Sequence, residues 1–139
     1  MQDEISLEGP ARLPLLESAQ AELDAFATRH AWSEEARFQV SLALEEVLMN
    51  VMSHGGSTAG QPPGVRVRLS QGDADVTLEI ADEGVAFDPL QAPAPDLESD
   101  LDERRVGGLG VFLVQQLMDA VDYRRDDGWN HLVLRKRVA

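Results

Sequence analysis

The sequence contains no cysteine. Disulfide frameworks, cysteine-ligated zinc, iron–sulfur clusters and thiol nucleophiles are therefore excluded. Basic residues are scarce: 12 Lys and Arg stand against 25 Asp and Glu, a formal net charge of −13. A surface that binds nucleic acid or anionic lipid needs a basic footprint, and this balance opposes both. A phosphate ligand would have to be met by locally placed backbone amides, arginines or a divalent cation. Long apolar runs are missing too. No window approaches the ~18 residues of a membrane span, and the opening MQDEISLEGP has neither the basic nor the apolar segment of a secretory leader. The expectation is a soluble protein of the cytoplasm. No internal repeat and no linker-like stretch interrupts the chain. Its 139 residues read as a single domain, 1–139, and a chain of that size buries ~68% of its unfolded surface, enough for a core without staples.

Hydropathy patterning divides the chain into alternating elements. Ile5 and Leu7 alternate with polar neighbours over DEISLEG, a short first strand. Leu15, Leu16, Ala19, Leu23 and Phe26 recur at helical spacing after Pro10 and Pro14, so a helix is expected to end near His30. Ser33 is placed as the N-cap of a second helix, with Glu34 and Glu35 favourable at its positive end. Gly55 and Gly56 close that helix after His54. VRVRLSQ and DVTLEIAD read as two strands joined by a tight turn at Gly72 and Asp73. Residues 88–106 are too rich in proline and acid for a simple connection and read as a lid. A third helix, LGVFLVQQLMDA, follows a cluster of glycines. VDYRR and WNHLVLRKRV form a last hairpin around Asp126-Asp127-Gly128. Hairpins interspersed with helices imply an α+β two-layer sandwich, a largely antiparallel sheet covered on one face by three helices.

Three constellations carry chemistry. Glu46, Asn50 and His54 fall four residues apart on one face of an otherwise apolar helix. Such a stripe looks onto solvent or onto a polar pocket, because an unpaired buried carboxylate is costly. In a pocket, a carboxylate can take a proton while an Asn carbonyl one turn away holds Mg²⁺. Asp82-Glu83-Gly84 closes the strand TLEIA. It is either a plain turn or a carboxylate at the floor of a cleft, accepting a hydrogen bond from an exocyclic amine such as that of adenine. Arg104-Arg105-Val106-Gly107-Gly108-Leu109-Gly110 opens the third helix. Glycines there either serve close packing or expose backbone amides that cradle phosphate. The segment is neither a Walker A loop nor a Rossmann fingerprint. The basic residues Arg124, Arg125, Arg135, Lys136 and Arg137 of the last hairpin read as a solvated face, and Trp32 and Trp129 as packing.

The order of these boxes resembles the ATP-binding fold shared by DNA gyrase, histidine kinases and mismatch-repair ATPases. The texts LALEEVLMNVMSHG, ADEGVAFDP and RRVGGLGVFLVQQLMDAVDYRR look most like the anti-sigma-factor serine/threonine kinases of that histidine-kinase-like superfamily. The resemblance covers roughly residues 5–137. It implies that Glu46 is the general base, Asn50 the Mg²⁺ ligand, Asp82 the acceptor for the adenine amino group and Gly84 a shaper of the base pocket. It further implies that Gly107, Gly108 and Gly110, with Leu109 among them, wrap the phosphates of ATP, with Arg104 or Arg105 at the terminal phosphate. The implied activity is phosphorylation of an anti-sigma-factor antagonist in a partner-switching circuit, with a sigma factor as a second partner and room for a homodimer. A nucleotide-gated binding module without phosphoryl transfer is the competing expectation, and Glu46 separates the two, since a pure binder needs no base. A detached domain serving a histidine phosphoacceptor and an ATP hydrolase for DNA transactions fit less well, the first for want of a helix pair bearing the histidine and the second because of the acidity.

Overall fold

The computed structural model describes residues 3–54, 62–84 and 108–138. Within them the elements run β1 (Asp3–Pro10), α1 (Leu13–Arg29), α2 (Glu34–His54), β2 (Gly64–Gln71), β3 (Asp75–Asp82), α3 (Gly108–Leu117), β4 (Ala120–Asp126) and β5 (Trp129–Arg137). The strands form one sheet in the order β1-β2-β3-β5-β4, every neighbouring pair antiparallel. The expected α+β sandwich is thus the observed one, and the helices cover one face of the sheet.

The ends of the first two helices have local causes. Pro14 stands in the first turn of α1, where its missing N–H costs nothing. At the other end Trp32 N–H bonds to Ala27 O at 3.0 Å and Ala31 N–H to Thr28 O at 3.2 Å. This is the paired closure of a Schellman motif, with Ala31 at φ 55° where glycine is usual. Helix α2 starts where Ser33 Oγ accepts the Ala36 N–H at 3.1 Å, the N-cap its sequence announces.

Alternation builds the sheet's inner face row by row. Leu69, Leu78, Leu134 and Val121 are register partners across β2, β3, β5 and β4; Val67, Ile80, Leu132 and Tyr123 form the next row. Against these rows pack Leu15, Leu16, Ala19, Leu23 and Phe26 of α1 and Val40, Ala43, Leu44, Val47, Leu48 and Val51 of α2, all buried. Phe26 has no exposed surface and lies edge-on to the Trp32 ring at 6.0 Å. On the opposite face the Arg66 guanidinium stacks over Trp129 at 4.2 Å from the ring centroid, so that tryptophan does pack, but outside the core.

Two hairpins differ in how their turns are made. Between β4 and β5 the turn residues Asp127 and Gly128 both have positive φ, 53° and 84°, the handedness that matches strand twist. Between β2 and β3, Gly72 N–H bonds to Asp75 O at 2.8 Å, so the turn centres on Asp73 and Ala74, one residue later than the expected Gly72 and Asp73. A Cβ at Gly72 would lie 2.6 Å from an Asp75 carboxylate oxygen, so a side chain there would make the Asp75 carboxylate turn away.

Candidate nucleotide site

The third row of the inner face is where the sheet changes character. Val65, Asp82, Asn130 and Arg125 are its register partners, so the pattern that gives aliphatic residues and Tyr123 in the first two rows delivers three polar side chains here. Asp82 and Asn130 are the buried polar residues among those described. Burial of a carboxylate is tolerated when its oxygens are hydrogen-bonded. Asp82 Oδ1 accepts the Gly84 N–H at 2.9 Å and the Asn130 Nδ2–H at 3.0 Å. Asn130 Oδ1 in turn accepts from Tyr123 Oη at 2.5 Å and from Arg125 Nη1 at 3.1 Å, and Arg125 Nη1 also donates to Gly84 O at 2.7 Å. Both donors to the carboxylate converge on Oδ1. Among the described residues no hydrogen bond reaches Oδ2, which is thereby the oxygen a ligand amine can use.

Gly84 is buried directly after β3, as a pocket floor requires, and its N–H and C=O are both engaged in this network. Glu46 and Asn50 stand half-buried in the C-terminal half of α2. Burial, and then the neighbouring Glu45 carboxylate, push the Glu46 carboxyl above its ordinary range. Gly108, Leu109 and Gly110 form the first turn of α3. The other end of that helix is clamped to β5: Lys136 Nζ donates to Leu117 O at 2.8 Å, Asp119 N–H to Arg135 O at 2.9 Å, and Arg137 N–H to Asp119 Oδ2 at 2.6 Å. Arg104, Arg105, Gly107 and the lid 88–106 lie outside the described residues.

The structure joins Asp82 and Gly84 into one hydrogen-bonded unit. Glu46 and Asn50 share one stretch of α2 and make no direct hydrogen bond to that unit. Three members were not expected from the sequence: Tyr123, Arg125 and Asn130. Lys136 departs from the expected solvated face, being half-buried with its ammonium on Leu117 O; Arg125 is exposed as expected, yet its register places it beside Asn130 and its guanidinium bonds Asn130 and Gly84. The signal that could have found them is a polar residue at an inward position of a strand, opposite another such residue across a two-residue turn.

Residues 9–136 match the histidine kinase-like ATPase domain. The chain belongs to that family. It is 42% identical over 117 residues to the serine/threonine-protein kinase BtrW of Bordetella bronchiseptica, covering 84% of this chain and 82% of that protein. It is 30% identical over 134 residues to the serine-protein kinase RsbW of Listeria monocytogenes, covering 92% of this chain and 83% of that one. Among solved structures, the RsbU and RsbW domains of a Mycobacterium tuberculosis protein align with a TM-score of 0.70 at 14% identity, over 98% of this chain and 32% of that one. The SiaB–SiaC complex of Pseudomonas aeruginosa aligns with a TM-score of 0.64 at 15% identity, over 96% of this chain and 89% of that one. At such identities these two likenesses bear on the fold alone. The histidine-kinase-like ATPase fold implies a bound adenine nucleotide, and the anti-sigma-factor kinase branch a kinase reaction.

Proposed function

We propose that this chain is an ATP-dependent serine/threonine protein kinase of the anti-sigma type, phosphorylating a small antagonist protein in a partner-switching circuit. The observation that carries the nucleotide half is Asp82: a buried carboxylate with one oxygen bonded by Gly84 and Asn130 and the other without a hydrogen bond among the described residues. Adenine offers an amine to such an acceptor, whereas guanine presents a carbonyl in the same place. The kinase half is supported by Glu46 and by the names of the two relatives, both protein kinases.

The residues fit Mg²⁺ in a particular way. Among the described residues no cluster of three or more His, Cys, Asp or Glu could cage a metal ion. Mg²⁺ commonly takes only one or two protein oxygens and completes its shell with phosphates and water, and the Asn50 carbonyl suffices as the protein's share. When bound, the cation neutralises phosphate charge. In the proposed reaction Glu46 takes the proton of the substrate hydroxyl, and the upward shift that burial gives its carboxyl makes it a better acceptor. Asn50 holds the cation, Asp82 and Gly84 hold the base, and the amides at the start of α3, with Gly107 and Arg104 or Arg105 before it, hold the phosphates. Phosphoryl transfer asks mainly for such positioning and charge neutralisation. A cytoplasmic setting, a sigma factor as second partner and a homodimer complete the proposal. Among the described residues no helix is long and apolar enough to cross a membrane, which accords with that setting.

The test is phosphate incorporation into a candidate antagonist from the same genome at saturating Mg-ATP, with wild type and Glu46→Gln. Loss of a general base lowers transfer by ~10²- to 10⁴-fold, with ATP affinity nearly normal. Equal incorporation by both proteins would remove Glu46 from the base role. Absence of transfer by wild type to a partner it demonstrably binds would establish the nucleotide-gated module instead.

A further inference from the structure

We propose that Arg125 is the positioning residue that sets the polarity of the base pocket, acting through Asn130, with Tyr123 in support. The inference rests on the reading of Asp82 as the base acceptor. Four groups form a closed circuit: Asp82 Oδ1 accepts from Gly84 N–H and Asn130 Nδ2, and Arg125 Nη1 donates to Gly84 O at 2.7 Å and to Asn130 Oδ1 at 3.1 Å. The Asn130 amide could in principle stand either way round, since its oxygen and nitrogen are nearly the same size. Turned over, its oxygen would face the Asp82 carboxylate, and two acceptors would meet. Arginine has donors and no acceptor, so it accepts only the arrangement in which the amide oxygen faces β4 and the NH₂ faces Asp82. Tyr123 Oη, 2.5 Å from Asn130 Oδ1, can donate or accept and cannot choose the orientation by itself.

The register explains why these groups meet. Arg125 is the partner of Asn130 on β5, and Asn130 is the partner of Asp82 on β3. The same guanidinium grips the carbonyl of Gly84, so it also holds the turn after β3 in place. Arg125 touches neither Asp82 nor any atom assigned to a ligand; its effect passes through Asn130 and Gly84.

The experiment is calorimetric titration of the purified full chain with ATP and, separately, with adenosine. Wild type is compared with Arg125→Met, Arg125→Lys, Tyr123→Phe and Asp82→Asn, each checked by thermal melting. Arg125→Met should weaken both ligands by a similar factor of about 10, the scale of one hydrogen bond to a charged group. Arg125→Lys, which restores an obligate donor, should recover to within about threefold of wild type, and Tyr123→Phe should lose less than Arg125→Met. If Arg125→Met weakens ATP and spares adenosine, the guanidinium acts as a charge toward phosphate and the proposal is overturned. It is equally overturned if folded Arg125→Met binds both ligands normally, or if Arg125→Lys binds no better than Arg125→Met. Should Arg125→Met not fold, Arg125→Gln, whose amide can donate or accept and so no longer dictates the Asn130 orientation, takes its place with the same expectations. Asp82→Asn separates the two levels of reasoning. Normal ATP binding by Asp82→Asn refutes the base-acceptor reading itself, whereas weakened binding there with normal binding by the Arg125 variants refutes this proposal alone.

Discussion

Replacing Asp82 by Asn exchanges one carboxylate oxygen for an amide NH₂ and leaves the volume nearly constant. The structure says which oxygen is exchanged. Oδ1 receives the Gly84 and Asn130 donors at 2.9 and 3.0 Å, so the new side chain keeps its carbonyl there and puts its NH₂ where Oδ2 was. The fold therefore survives, and the ligand amine meets a donor in place of a charged acceptor. A hydrogen bond to a charged group contributes ~1.5–3 kcal/mol, which converts to roughly 10- to 150-fold weaker ATP binding. Asp82→Ala should behave differently. It strands the Gly84 and Asn130 donors in a buried place, at ~1–3 kcal/mol of stability, so it should lower the melting temperature as well as the affinity. The assay is calorimetry with ATP alongside thermal melts of both variants. ATP affinity in Asp82→Asn equal to that of wild type would refute the reasoning, as would a preference of wild type for GTP over ATP.

The remaining predictions concern stability and pH. Phe26→Ala opens a cavity beneath Trp32 and His30 and should cost ~3–5 kcal/mol, a melting point lower by roughly 10–20 °C, read by calorimetric or circular-dichroism melts. The Glu46 carboxyl is raised by burial, so its ionised form is disfavoured in the native state. Stability contributed at that position is fullest below the unfolded value of 4.5 and falls as pH rises through the native one. Glu46→Gln should accordingly melt higher than wild type at pH 7, with the difference vanishing near pH 4; kinase activity of wild type should in turn fall as acid protonates Glu46. Asp3 is held below its usual range by hydrogen bonds from His30 and then Arg29, each at 2.8 Å. Its stabilising share is complete above the unfolded value of 3.8 and disappears as pH falls through the lowered native one, so Asp3→Asn should lower the melting point at pH 7, with the difference shrinking as pH falls below 3.8.

Much of the architecture was legible because local rules and global packing agree. The period-2 runs of Val65, Val67 and Leu69 and the helical spacing of Leu15 to Phe26 each name one buried face, and the Ser33 cap and the Asp127-Gly128 turn mark boundaries by chemistry acting within a few residues. These signals determine elements, the fold class and the two carboxylates worth testing, Glu46 and Asp82. What the linear pattern could not decide was the strand order. Placing β5 between β3 and β4 is a matter of which edges meet once the helices cover one face, and long-range pairing leaves no trace in local spacing. That order sets Asn130 beside Asp82, while the local hairpin sets Arg125 beside Asn130. A hairpin arginine that reads as a solvated charge, and is exposed, thereby also becomes a donor to Asn130 and Gly84, because its register sets it in the row that holds the buried Asp82.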